Sequence, residues 1–209
     1  MWNSEMIKKV GLLGLLDMRL QTDGDSPYMA LYIDHPYFAE VCAGAKHHHW
    51  WKGGLEQHVV ELICFMADQL IASPEAYMGV TLNDCIIVAL LHDFDKIWAY
   101  VPLSEDDISM REEGSTKYHA EQVFKSSYKE FTQLDGVSKT LRLLSSRGIT
   151  PTESQWSALL FAHGGYSNAN FGFGGITYTG DKVMHANPLA VLLHLADMFS
   201  ANLLSKELA

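Results

Sequence analysis

Residues 85–93 read CIIVALLHD, an unbroken apolar stretch that ends on a histidine and an aspartate. The stretch is far shorter than the roughly 18 residues a membrane span needs. It reads as a helix that Thr81 or Asn83 is placed to cap, and His92 and Asp93 close it. A second carboxylate, Asp197, sits in the equally apolar run AVLLHLADMFSANLL. Taking a carboxylate out of water costs several kcal/mol unless a cation or hydrogen-bond donors compensate. A chain that buries two of them must bring something positive to both.

The rest of the chain is helical in pattern nearly throughout. Residues 4–20 look like an amphipathic helix, and 21–53 read as loop-rich, broken by Gly24, Pro27, Pro36 and Gly44. Residues 54–72 (GLEQHVVELICFMADQLIA) have helical periodicity and stop at Ser73-Pro74. Residues 102–115 are acidic and polar and read as a loop. Helices are expected over 116–133 and 137–146, and another from Thr152-Glu153 to about His163. Residues 164–186 are rich in Gly and aromatic residues and read as a long loop or short hairpin, strand-like only at 171–180. Asn187-Pro188 starts a last helix running to about Leu204. With no repeat and no linker, the pattern predicts an all-α chain forming a single domain over 1–209, with about six to eight helices.

Hydrophobic residues make up 48% and charged residues 19%, which excludes a disordered chain. The formal net charge is -10 and the 15 Lys and Arg are scattered, so sequence-specific nucleic-acid binding is not expected. A small phosphorylated substrate remains compatible, since a metal ion and a few local cations offset its charge. The N-terminus, MWNSEMIKKVGLLGLLDMRL, reads as a helix and not a signal peptide. Its Met6, Val10, Leu13 and Leu16 could complete the core or serve a homodimer. The three cysteines show no CxxC. Cys64 and Cys85 lie in apolar runs, as buried free thiols do, and a reducing cytoplasm fits. No membrane association is expected.

Ten histidines is a surplus, and three are consecutive, His47-His48-His49. His58 lies in a helix whose inward stripe includes Leu55, Leu62 and Phe65. Two buried imidazoles (His58, His92) and two carboxylates (Asp93, Asp197) on different helices suggest one shared cation. Imidazole with carboxylate suits Zn, Fe, Mn, Co or Ni, and no thiolate is placed to make a structural zinc site. Such an ion lowers the pKa of bound water and polarises a phosphoryl group. Gly53-Gly54 open the His58 helix, where bare backbone N–H groups favour an anion, or form a tight turn. Of Trp50 and Trp51, one suits the core and the other could stack on a base. His48 or His49 could contact phosphate or act as general acid. Lys96 could hold a phosphate oxygen or be a surface lysine at a helix end, and His194, one turn before Asp197, could orient a ligand or simply pack. His35, His47 and His185 read as surface. The segment from Gly164 to Gly180 directly follows His163 and suits a substrate loop, with Tyr166, Asn168 and Asn170 to read a base or sugar.

Three motifs resemble those of the HD-domain superfamily of metal-dependent phosphohydrolases. His48-His49-Trp50-Trp51-Lys52-Gly53-Gly54-Leu55-Glu56-Gln57-His58 is similar to the HHxxxGGLxxH motif of one branch. Leu91-His92-Asp93-Phe94-Asp95-Lys96 is similar to its HDxxK signature, and Leu193-His194-Leu195-Ala196-Asp197 to its last ligand helix. The resemblance spans residues 48–201 in the family's order. It implies a helical HD-type domain in which His58, His92, Asp93 and Asp197 hold a first divalent ion (Mn, Fe, Co, Ni, Zn or Mg).

Members with HDxxK often bind a second ion through histidines between the HD pair and the last Asp. His119 and His163 occupy those places, although Ala162 stands where the pattern has the first of two adjacent histidines. Asp93 would then bridge the ions, and a bridging hydroxide would be the nucleophile. The resemblance further implies hydrolysis of a phosphate ester or anhydride by metal-activated water. The expected substrate is a small nucleotide, first a (deoxy)nucleoside mono- or triphosphate. Asp93, Lys96, His119 and His163 would be catalytic, and His48, His49, Trp51, Gly53, Gly54, Lys96 and Tyr166 would contact substrate. The alternatives are a phosphodiesterase for a cyclic nucleotide or an oligonucleotide 3′ end, and an inactive regulatory or interaction module.

Overall fold

The computed structural model describes residues 2–20, 27–44, 48–106, 124–126, 136–162, 171–173, 176–178 and 187–204. Helices dominate it, as the pattern predicts: α1 (Ser4–Leu20), α2 (Pro27–Asp34), α3 (Gly54–Ala72), α4 (Leu82–Leu91), α5 (Lys96–Ala99), α6 (Gly136–Ser146), α7 (Glu153–Phe161) and α8 (Pro188–Phe199). A 3-10 turn covers Pro36–Ala39, and a π-helical turn, Ser200–Leu204, extends α8. No helix among the described residues is long and apolar enough to cross a membrane.

Helix α3 is the central element, packing against α1, α4 and α8. Its buried residues include Leu55, His58, Val59, Leu62, Ile63, Met66 and Ala67. They recur every three or four residues, so His58 occupies a slot that the helical period otherwise fills with aliphatic side chains. Phe65 lies at the edge of this stripe, half-buried against Phe199 with ring centroids 4.9 Å apart. Helix α4 is apolar all round, and every residue from Cys85 to Leu91 is buried. Its start is held by a reciprocal cap: Thr81 Oγ1 accepts from Asp84 N at 3.1 Å, and Asp84 Oδ2 accepts from Thr81 N at 3.0 Å. Thr152 and Gln155 repeat the device on α7. Asn187 caps α8, accepting from Leu189 N at 3.0 Å, with Pro188 at the first turn. Helix α1 is kinked at Gly11, whose φ of 70° breaks the regular path. Of its four residues singled out in the sequence, Leu16 is buried, Val10 half-buried, and Met6 and Leu13 exposed.

Two expectations are corrected. Residues 27–39 are not loop: Pro27 is the first residue of α2 and Pro36 the first of the 3-10 turn. Proline lacks an N–H that a first helical turn does not use, so it opens these elements instead of breaking them. The helix expected over 116–133 does not hold at 124–126, which form a strand; the rest of that range lies outside the described residues. Phe124–Ser126 (β2) pairs antiparallel with Tyr100–Pro102 (β1), with Tyr100 opposite Ser126 and Pro102 opposite Phe124. Buried Tyr100 and Phe124 meet edge-to-face at 6.0 Å and join this ribbon to the core. In the Gly-rich region, Phe171–Phe173 (β3) and Ile176–Tyr178 (β4) form the short hairpin that the sequence offered as one reading.

Candidate metal centre

His58 projects from α3, His92 and Asp93 follow the last turn of α4, and Asp197 projects from α8. The N–H of His92 still follows the helical path, donating to Val88 O at 3.0 Å, so the His-Asp pair emerges where the buried helix ends. His58 is 0%, His92 1% and Asp93 6% exposed, which leaves little water to solvate them. Nε2 of His58 lies 3.3 Å from Nε2 of His92, 3.2 Å from Oδ1 of Asp197 and 4.0 Å from Oδ2 of Asp93. Nε2 of His92 is 3.5 Å from the same Asp93 oxygen.

The hydrogen-bond partners assign the tautomers. His92 Nδ1 sits 2.8 Å from the carbonyl of Ala89, which can only accept, so Nδ1 carries the hydrogen. His58 Nδ1 sits 2.8 Å from Ser200 Oγ, and the one hydroxyl hydrogen of Ser200 goes to Glu61 Oε2 at 2.6 Å. Ser200 therefore accepts from His58 Nδ1–H. Both neutral rings then present an Nε2 lone pair to the same point, alongside two carboxylate oxygens. Two lone pairs 3.3 Å apart in a low-dielectric interior repel unless a proton or a cation lies between them. One extra ring proton on His58 could satisfy only one of the three acceptors facing it, whereas a metal ion satisfies all. The residues thus fit a divalent ion with imidazole and carboxylate ligands. Lys96 Nζ stands 3.9 Å from the other oxygen of Asp93.

A second group of nitrogens, from His48, His49 and His58, lies beside this pocket. His49 is fully buried: Nε2 is 3.0 Å from Glu61 Oε2 and Nδ1 is 3.3 Å from Nδ1 of His48. Both ring nitrogens of His49 are thus engaged within the protein. His48 is half-buried. Burial, and then the neighbouring imidazoles of His58 and His49, push its pKa down to about 4, against the pull of Asp93 and Asp197. It is therefore overwhelmingly neutral at pH 7, and a general-acid role for it is disfavoured.

Gly53 and Gly54 form a tight turn into α3. The N–H groups of Gly53, Gly54 and Leu55 donate to the carbonyls of Glu40, Trp51 and Val41 at 3.2, 3.0 and 3.0 Å. Those three donors are therefore occupied within the protein, as the tight-turn reading of the pair has it. Gly54 is glycine because a Cβ there would lie 2.1 Å from the carbonyl oxygen of His49, and Gly53 has a φ of 78°. The pair turns the chain so that His49 lies against α3. Trp51 lies tilted against His49 with ring centroids 5.2 Å apart and donates from Nε1 to Gln57 Oε1 at 3.2 Å, while Trp50 packs half-buried against the core.

His35, expected at the surface, is half-buried edge-on to Phe94 and Trp98 at 5.5 and 6.3 Å. His194 ties α8 to the end of α7, its Nδ1 2.9 Å from Ala162 O. His47, His119, His163, Tyr166, Asn168, Asn170 and His185 lie outside the described residues, and with them the histidines expected at a second ion. Sequence reasoning missed Glu61 and Ser200. The signal was spacing: Glu61 follows His58, and Ser200 follows Asp197, by three residues, which places each on its ligand's helix face. Burial alone would raise the Glu61 carboxyl, but hydrogen bonds from His49, Ser200 and Gln57 hold it below the ordinary value. The cysteines are free and buried, and burial pushes the Cys42 and Cys85 thiols up to about 12.

Compared with known proteins, the chain matches no protein-family model, no curated protein and no solved structure.

Proposed function

We propose that this chain is a divalent-metal-dependent phosphohydrolase acting on a phosphate ester or anhydride of a small nucleotide, first a (deoxy)nucleoside mono- or triphosphate. The observation that carries this reading is the convergence of two imidazole lone pairs and two carboxylates where α4 ends. When bound, the ion supplies Lewis acidity, acidifying water and polarising a phosphoryl oxygen. The chain's own residues do the rest. His58 and His92 are held as Nδ1–H tautomers by Ser200 and Ala89, so their lone pairs need no rearrangement to receive the ion. Asp93 and Asp197 offset its charge. Lys96, 3.9 Å from Asp93, provides a second cation at the margin of the pocket, where a phosphate oxygen needs one. Neutral His48 serves as a hydrogen-bonding group at the same margin.

The test is metal content of the purified chain, followed by a nucleotide panel with Mn, Co, Ni, Fe, Zn or Mg and identification of products. Release of phosphate, of nucleoside or of a shorter nucleotide separates monophosphatase, triphosphohydrolase and phosphodiesterase. Tight metal binding with no hydrolysis across the panel would replace this proposal with a binding module.

A further inference from the structure

We propose that Glu61 is a positioning residue that sets the tautomers of two histidines at once, His58 through Ser200 and His49 directly. Three hydrogen-bond paths end on its carboxylate. Oε2 accepts from Ser200 Oγ–H at 2.6 Å and from His49 Nε2–H at 3.0 Å, and Oε1 accepts from Gln57 Nε2–H at 3.0 Å. Behind these donors stand His58 Nδ1–H on Ser200 and Trp51 Nε1–H on Gln57, so every hydrogen in the network points toward Glu61. An ionised carboxylate only accepts, and this fixes the direction of each path.

The consequence differs for the two rings. His58 is forced to keep its hydrogen on Nδ1 and its lone pair on Nε2, toward His92 and Asp197. If Glu61 is removed, the Ser200 hydroxyl can turn and donate to His58, moving the ring hydrogen to Nε2, into the space the ion needs. His49 is forced into the opposite tautomer, with its lone pair on Nδ1. It then accepts from His48 Nδ1–H at 3.3 Å, leaving the lone pair of His48 on Nε2. One side chain, 15% exposed, thus ties the metal pocket to the neighbouring histidine pair. Outer-shell partners of this kind tune metal affinity by about 10–100-fold.

The metal half of this proposal rests on the metal-centre reading; the tautomer half stands without an ion. The experiment takes the full chain and its Glu61→Ala, Glu61→Gln and Ser200→Ala variants, with thermal unfolding to show that each folds. Imidazole nitrogen NMR in chelator reads the tautomers, and Co(II) absorption titration reads affinity. The parent is expected to show His58 as Nδ1–H and His49 as Nε2–H. Ser200→Ala should disturb His58 alone, and Glu61→Ala both rings. Co(II) affinity should fall about 10–100-fold in Ser200→Ala and Glu61→Ala, and less in Glu61→Gln, which keeps an accepting oxygen. Unchanged tautomers in both Glu61 variants, or affinities within about twofold of the parent, would overturn the proposal. A parent that shows both tautomers but binds no Co(II) would sink the metal-centre reading and leave the control of the two rings standing.

Discussion

Asp93 faces both histidine lone pairs and a lysine. Oδ2 lies 3.5 and 4.0 Å from the two imidazoles, and Oδ1 lies 3.9 Å from Lys96. Asp93→Ala is therefore expected to weaken divalent-metal binding by at least about 100-fold and to reduce phosphate release to background, read by calorimetry and a phosphate assay. Lys96→Ala leaves the metal donors in place. Its expected effect is a raised KM with metal affinity within a few-fold of the parent, because a point charge on a phosphate oxygen is lost. His48 gives the pH prediction. Its folded pKa is about 4, against an ordinary 6.5, so between those values the unfolded chain binds more protons than the folded one. Stability then falls as pH drops from about 6.5 toward 4, and the contribution is flat above that window. In chelator, urea midpoints at pH 7.5 and pH 5 should drop more for the parent than for His48→Gln, which cannot titrate. Equal drops would mean that His48 is not held neutral.

At the scale of elements, the structure separates what a local pattern carries from what it does not. Helix α3 runs over the residues its period indicated because Gly53 precedes it and Ser73-Pro74 ends it. The Thr81 cap and the Asn187-Pro188 start were legible for the same reason: a cap and the helix it closes are neighbours in sequence. The residues of the metal pocket were legible because a charged or imidazole group inside an apolar stripe has no cheap structural explanation. Pro27 and Pro36 were misread as breakers although Pro188 had been read correctly as a starter. Only the residues that follow tell these cases apart. The strand at 124–126 was invisible because its partner, Tyr100–Pro102, lies more than 20 residues earlier, and no helical period encodes such a pairing.

The Gly-Gly turn shows both kinds of information at once: the sequence marked it, but only packing reveals its task. A Cβ on residue 54 would stand 2.1 Å from His49 O, which also accepts from Ala43 N at 3.0 Å. Gly54→Ala is thus expected to destabilise the chain by about 1–3 kcal/mol and to pull His49 from Glu61. Calorimetric unfolding should report the first effect and the His49 tautomer the second. Thr81→Ala, far from the pocket, should cost about 1 kcal/mol and leave metal affinity untouched.

For the whole molecule, the pocket is the meeting point of three helices that build the core. Helices α3, α4 and α8 contact one another pairwise, and each brings at least one electron-rich group to a common point. In the metal-free chain those groups work against the packing that brings them together, since buried Asp93, half-buried Asp197 and two lone pairs share one site. On the metal-centre reading, an ion bound there reverses the sign of that contribution. A ligand that binds only the folded state stabilises it by about 2.7 kcal/mol at a concentration 100 times its Kd, so Mn(II) or Co(II) should raise Tm and chelator should lower it. Asp197→Asn makes the argument discriminating. It keeps the size of the side chain and removes one negative charge, so in chelator it should unfold at the same temperature as the parent or higher. With metal present it should lose most of the parent's upward shift, and the two unfolding curves should change order between the conditions. A variant less stable than the parent in chelator and equally stabilised by metal would show instead that Asp197 serves the packing of α8 and not the ion.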